Sequence, residues 1–187
     1  MQAQTAVASA PSLTGRRVIA VLLGVAVVAL AAQIAIPLPG TPVPMTLQPL
    51  AVLIVGGLLG PRLGAASLLL YLALGAAGLP IFTPFGAPGV ARLFGPTGGY
   101  LLAYPIAAYA VGRLAGDGRR WARLAVAVLT GIALIHLGGL AQLLIITHSL
   151  RDAARLGTWP FLLGDLAKLV VAGVILRPTL NPLRARL

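Results

Sequence analysis

Asp165 and Lys168 stand three residues apart in the block PFLLGDLAKLVVA, where every other side chain is apolar or absent. At helical spacing they share one face. An ionised aspartate only accepts hydrogen bonds and a lysine ammonium only donates them, three at a time. In a hydrocarbon setting either charge alone is expensive. Two readings are open. The pair satisfies itself and locks its helix to its neighbours, or its spare capacity grips a polar ligand, with an N–H on Asp165 and a carbonyl or carboxylate oxygen on Lys168. Which ligand group meets which residue stays open.

Other residues offer weaker chemistry. Arg92 is the lone charge of a long loop that ends in GPTGGY, and it reads either as an anion clamp or as an ordinary solvated arginine. Thr46, Gln48 and Tyr100 place neutral polar groups at the mouths of two apolar runs, and Phe82, Phe85 and Trp159 offer flat apolar walls. Aromatics at such places also serve as membrane anchors. His136 and Gln142, six apart in one run, read as interhelix hydrogen-bonding groups. His148, Ser149 and Asp152 resemble a hydrolase set only in composition, since no GxSxG turn is present. The single lysine follows Ala167 and so makes no Walker loop. With no cysteine there is no thiolate chemistry or cysteine metal site. No catalysis and no cofactor are expected.

The elements that carry these residues are membrane helices. Hydrophobic residues make up 59% of the 187 and charged ones only 9%, more apolar surface than one soluble core of this size hides. A span needs about 20 mostly apolar residues. Five runs qualify, at 18–36, 63–79, 100–114, 124–146 and 161–176, and a shorter sixth at 47–59 works as a span only if protein covers part of it. The expected fold is an all-α membrane protein, a compact bundle of six transmembrane helices with ordered outer loops. Residues 1–17 read as a polar, flexible cytoplasmic N-terminus and 18–187 as one domain. The run at 18–36 exceeds a signal-peptide core and lacks a cleavage site, so it reads as the first span.

Basic residues set the orientation. With six spans, Arg16, Arg17, Arg62, Arg113, Arg119, Arg120, Arg123, Arg177, Arg184 and Arg186 fall on one side, against Arg92, Arg151 and Arg155 on the other. The richer side is cytoplasmic by the positive-inside rule, so both termini are cytoplasmic. The net charge of +11 thus belongs to span flanks rather than to one nucleic-acid-binding face. The outer loops are rich in breakers. PLPGTPVP is held extended by its prolines, and 80–100 reads as a loop of about twenty residues without helix, a length typical of lids and binding loops. An outward-facing, lidded pocket follows, with idle packing loops as the alternative.

At four blocks the sequence resembles the BioY family, the biotin-specific S component of energy-coupling-factor transporters: AQIAIPLPGTPVPMTLQPLAVLIVGGLLGPRLG (32–64), YLALGAAGLPIF (71–82), GPTGGYLLAYP (95–105) and PFLLGDLAKLVVA (160–172). The likeness runs from about residue 33 to the C-terminus. It implies a six-helix fold with cytoplasmic termini in a bacterial inner membrane, and an outward cavity capped by the loops after spans one, three and five. It also implies high-affinity biotin capture, with contacts at Asp165, Lys168 and the loop around Arg92, and weaker assignments at Thr46, Gln48, Tyr100 and Phe82. The implied partners are biotin, membrane lipid, a transmembrane coupling protein and two cytoplasmic ATPases. The same scaffold with another vitamin, an intramembrane enzyme and a structural membrane subunit are the alternatives.

Overall fold

The computed structural model describes residues 13–187. In chain order come α1 (Leu13–Gln33), the two-residue strands β1 (Ala35–Ile36) and β2 (Met45–Thr46), α2 (Gln48–Ala76), the single turn α3 (Ala91–Phe94), α4 (Gly98–Leu114), α5 (Trp121–Thr147), α6 (Leu150–Gly157), a 3-10 turn (Trp159–Phe161) and α7 (Leu162–Arg184). Most of the polar tail expected over 1–17 lies outside the described residues, and α1 already begins at Leu13.

Although continuous in hydrogen bonding, α2 is a hairpin of two helical arms. Gly60 has φ 78° and ψ 179°, a region that side chains other than hydrogen essentially never adopt. Pro61 follows, its fixed φ suited to restarting a helix. Gln48 at the start of the first arm donates from Nε2 to the Tyr71 hydroxyl of the second at 2.8 Å. In a straight helix these residues would be about 35 Å apart. A Cβ on Gly64 would come within 2.9 Å of the Gly56 Cα, which brings the arms into backbone contact near the turn.

The first arm is the short span. Twelve helical residues rise about 18 Å, against about 30 Å of hydrocarbon, so lipid cannot be its main neighbour. Ala51, Val52, Leu53, Val55, Gly56 and Gly57 are all buried, and α2 packs against α1, α4 and α7. Counting both arms of α2 together with α1, α4, α5 and α7 gives the six expected spanning segments. Among the described residues, four stretches are long and apolar enough to cross a membrane when α2 is taken in one piece and α6 is joined to α7, and α4 falls just short at 17 residues.

The two ends of the bundle differ. At one end Arg17 Nε donates to the Leu187 carbonyl at 3.0 Å, joining the start of α1 to the third residue beyond α7. Arg184 lies there too. It donates to the carbonyls of Gly57, Gly112 and Gly116, and so places a cation where the first arm of α2 and α4 end and their dipoles are negative. At the other end, β1 and β2 pair antiparallel and close the proline-rich loop, and the Thr41 hydroxyl ties that loop to the Leu156 carbonyl of α6 at 2.6 Å.

Two details differ from the sequence reading. The stretch 80–100 contains the turn α3, and α4 starts at Gly98. The loop expected after the fifth span holds α6, capped by the Ser149 hydroxyl, which accepts from the Asp152 N–H. α6 is short and amphipathic, so a search for twenty-residue apolar runs passes over it. On α7 the two faces separate cleanly. Asp165, Lys168 and Ala172 are buried, whereas Leu163 (85% exposed), Leu166 and Val170 face outward as a lipid surface.

Candidate functional site

A pocket opens between α2, α4, α5 and α7, beneath the β1–β2 loop and the segment before α3. It is lined by Thr46, Gln48, Phe82, Tyr100, Asp165 and Lys168, with His136, Tyr104, Phe161 and Ile135 completing its walls. The enclosed cavity is narrow, about 50 Å³, and widens to about 570 Å³ of empty space only when the open solvent at its mouth is counted. Six of the seven residues at which the family resemblance implies contacts thus converge on one cavity. Arg92 is the exception.

Asp165 and Lys168 are 5% and 7% exposed, in the first two turns of α7. Lys168 Nζ donates to Asp165 Oδ1 at 2.9 Å. His136 Nε2, on α5, lies 2.6 Å from Asp165 Oδ2. The interhelix bond expected of His136 is therefore present, and it runs to the acidic residue of the pocket. Both carboxylate oxygens are engaged, yet each oxygen has a second lone pair, and the ammonium keeps two of its three N–H groups. The pair adds no net charge to the pocket wall. It can therefore offer both donor and acceptor to a neutral polar ligand.

The polar mouth is preorganised by the α2 hairpin. Gln48 donates to Tyr71, Tyr71 donates to the Ile81 carbonyl at 3.1 Å, and Thr46 Oγ1 contacts Gln48 Oε1 at 3.3 Å. Phe82 stands edge-on to Tyr71, with ring centroids 5.4 Å apart and an interplanar angle of 76°. Tyr100 spends its hydroxyl on the Gly157 carbonyl at 2.5 Å, so it gives the pocket a ring face rather than a polar tip. A Cβ at Gly139 would run into that ring. Without a side chain, Gly139 lets α5 approach closely enough to hold the ring against the cavity.

Arg92 does not line this pocket. Its guanidinium is buried within its own loop, where Nε donates to Ala87 O, Nη1 to Thr83 Oγ1 and Nη2 to Thr83 O, each at 2.8 Å, with Phe85 O as a further acceptor of Nη1. Four of its five N–H groups are thus used. Burial lowers its pKa from the ordinary value, and a guanidinium still stays charged at neutral pH. Its reach to the cavity is indirect, since Thr83 lines the pocket and is held by Arg92. Trp159 is 68% exposed and lines no part of the pocket, as an anchor would be. Phe85 lies against a separate cleft beside Arg92.

Tyr104 and Phe161 were not singled out from sequence, and nothing in their spacing marks them. His136 carried a signal, because an ionisable side chain inside a span is a site candidate by default.

A family model for the BioY family matches residues 3–185. The chain is 38% identical to the probable biotin transporter BioY of Pyrococcus horikoshii, over 83% of this chain and 90% of that one. It is 37% identical to the biotin transporter BioY of Thermotoga maritima, over 80% and 87% respectively. The fold matches a crystal structure of the S-component for biotin from an ECF-type ABC transporter, with a TM-score of 0.81 and 27% identity, covering 91% of this chain and 94% of that one.

Proposed function

The chain belongs to the BioY family, and from that premise we propose that it is the biotin-capturing S component of an ECF-type transporter and that the Asp165–Lys168 pocket is where biotin binds. The observation that carries the site is the convergence of Asp165, Lys168, Gln48, Thr46, Tyr100 and Phe82 on one cavity.

Biotin joins a neutral ureido–thiophane bicycle to a chain ending in a carboxylate. A neutral head suits a wall whose two charges already cancel, because a third charge there would have nothing to balance it. The ureido oxygen accepts from the free N–H groups of Lys168, and a ureido N–H donates to Asp165. The bicycle lies between the rings of Phe82, Tyr100, Tyr104 and Phe161. The carboxylate points toward the threonines of the mouth, with Arg92 behind Thr83 supplying positive charge and holding that wall in place.

The transmembrane domain starts with α1 at Leu13 rather than at residue 18. Its membrane is the bacterial inner membrane, the arginine-rich end of the bundle faces the cytoplasm, and the pocket faces out. Energy comes from outside this chain, through a transmembrane coupling protein and two cytoplasmic ATPases. Binding of biotin, riboflavin and thiamine to the purified, detergent-solubilised protein, measured by calorimetry, tests the reading. Tight binding of biotin alone is expected. Saturable binding of another vitamin in its place, or of none by folded protein, overturns it.

A further inference from the structure

A groove of about 710 Å³ runs between α1 and the first arm of α2 at the arginine-rich end of the bundle. It shares no residue with the pocket at the other end. Ile19, Leu23 and Val27 of α1 face Ile54 and Leu58 of α2 across it, and Arg16 and Arg186 stand at its mouth. Every other residue along it is apolar or glycine. Gly24 sets its depth. A Cβ there would come within 2.6 Å of Ser67 Oγ, so α1 leans on the second arm and leaves space beside the first.

The two arginines at the mouth are uncommitted. Arg17 is spent on Leu187 and Arg184 on the carbonyls of Gly57, Gly112 and Gly116. Among the described residues, the side chains of Arg16 and Arg186 make no hydrogen bond or ion pair. No side chain supplies them with an anion. The chain has three carboxylate side chains: Asp165 and Asp152 belong to the pocket end, and Asp117, in the turn after α4, accepts from the Arg119 N–H at 3.2 Å. Length points the same way. From Arg16 to Val27 a helix rises about 16 Å, one leaflet of a hydrocarbon layer about 30 Å thick. A partner helix would call for contact along the whole span. A groove that stops at mid-depth with charge at its surface end has the dimensions of a lipid.

We propose that this groove seats an acyl chain of an anionic phospholipid whose phosphate is held between Arg16 and Arg186. Guanidinium forks match phosphate oxygens in pairs, and basic pockets between spanning helices bind anionic headgroups in membrane proteins generally. The lipid bridges the start of α1 to the segment after α7. Because α1 packs chiefly on α2, such a bridge fastens a peripheral helix to the rest of the bundle. The assignment is independent of what the pocket binds.

Phosphatidylglycerol, phosphatidylcholine and inorganic phosphate are added in turn to the purified full chain in detergent. Bound lipid is counted by native mass spectrometry, and unfolding is followed on heating. One phosphatidylglycerol should bind about tenfold more tightly than phosphatidylcholine, as two arginines at an anionic headgroup warrant, and should raise the unfolding temperature. Phosphate without chains should not raise it. Arg16→Gln with Arg186→Gln should abolish the preference, whereas Arg119→Gln with Arg120→Gln, an equal loss of charge at the same end, should keep it. Equal binding of the two lipids by the wild type, a preference that survives the first double variant or is lost equally in both, or stabilisation by phosphate alone overturns the proposal. Phosphatidylglycerol carrying a mid-chain diazirine reads the site on the wild type, whatever the variants' folding. Crosslinks should fall on residues 19–27 and 54–58. Their spread over the outward faces of α5 and α7, or a dimer formed in place of a lipid adduct, rejects it.

Discussion

Gln48 and Tyr71 are joined by a 2.8 Å hydrogen bond across 23 residues of sequence, which is possible only because α2 turns back on itself at Gly60. That bond ties the mouth of the pocket to the hairpin that makes a short central span workable. Tyr71→Phe removes the Gln48 partner and the bond to Ile81 while preserving the ring packed on Phe82. The expected cost is about 1–3 kcal/mol, since buried polar groups are left unpaired. Denaturation in detergent measures it, and biotin affinity should fall less than on changing Asp165.

The buried pair gives opposite results for single and double substitution. Asp165→Asn alone leaves Lys168 buried and unbalanced, and should destabilise the protein by about 3–5 kcal/mol. Adding Lys168→Met should recover most of that stability and leave biotin binding abolished. A double variant that folds and binds biotin like the wild type would reduce the pair to a helix lock.

Arg92→Lys tests whether the loop depends on a planar fork. Lysine carries the same charge but presents its donors from a single nitrogen, and cannot reproduce the bonds to Ala87, Thr83 and Phe85. Amide exchange should accelerate over residues 83–95 and remain unchanged in α5 and α7. Biotin affinity should drop several-fold, mainly through faster release. Unaltered exchange in the loop would count against its role as the loop's organiser.

Orientation is open to direct labelling because the sequence contains no cysteine. Ala87→Cys sits at the pocket end and Asp117→Cys in the turn between α4 and α5 at the opposite end, and both positions are exposed. A membrane-impermeant maleimide applied to intact spheroplasts should label the first, and label the second only after permeabilisation. The reverse pattern would invert the orientation drawn from the arginines.

Much of the fold was legible because hydrophobic run length reports directly on a requirement set by the bilayer. The Gly60-Pro61 turn, the six segments and the two unlike ends follow from such local signals. The amphipathic α6 was invisible to the same reasoning, for its exposed face is polar and its length is less than a span. In the site, Asp165 and Lys168 were found because charge within an apolar helix is conspicuous at the level of letters. Tyr104 and Phe161 were not, because aromatics in apolar runs are everywhere.

By itself the sequence determined that the chain crosses a membrane, which end carries the arginines, and that one helix bears a closely spaced acid and base. Those are properties of residue type and of spacing along one element. Only the tertiary structure decided what meets across elements: that Arg92 turns into its own loop, that Tyr100 directs its hydroxyl to Gly157, and that His136 reaches Asp165 from another helix. The angle at which helices cross and the path a loop takes between them depend on packing against every neighbour at once, and no local pattern encodes those contacts. The pocket exists at that level.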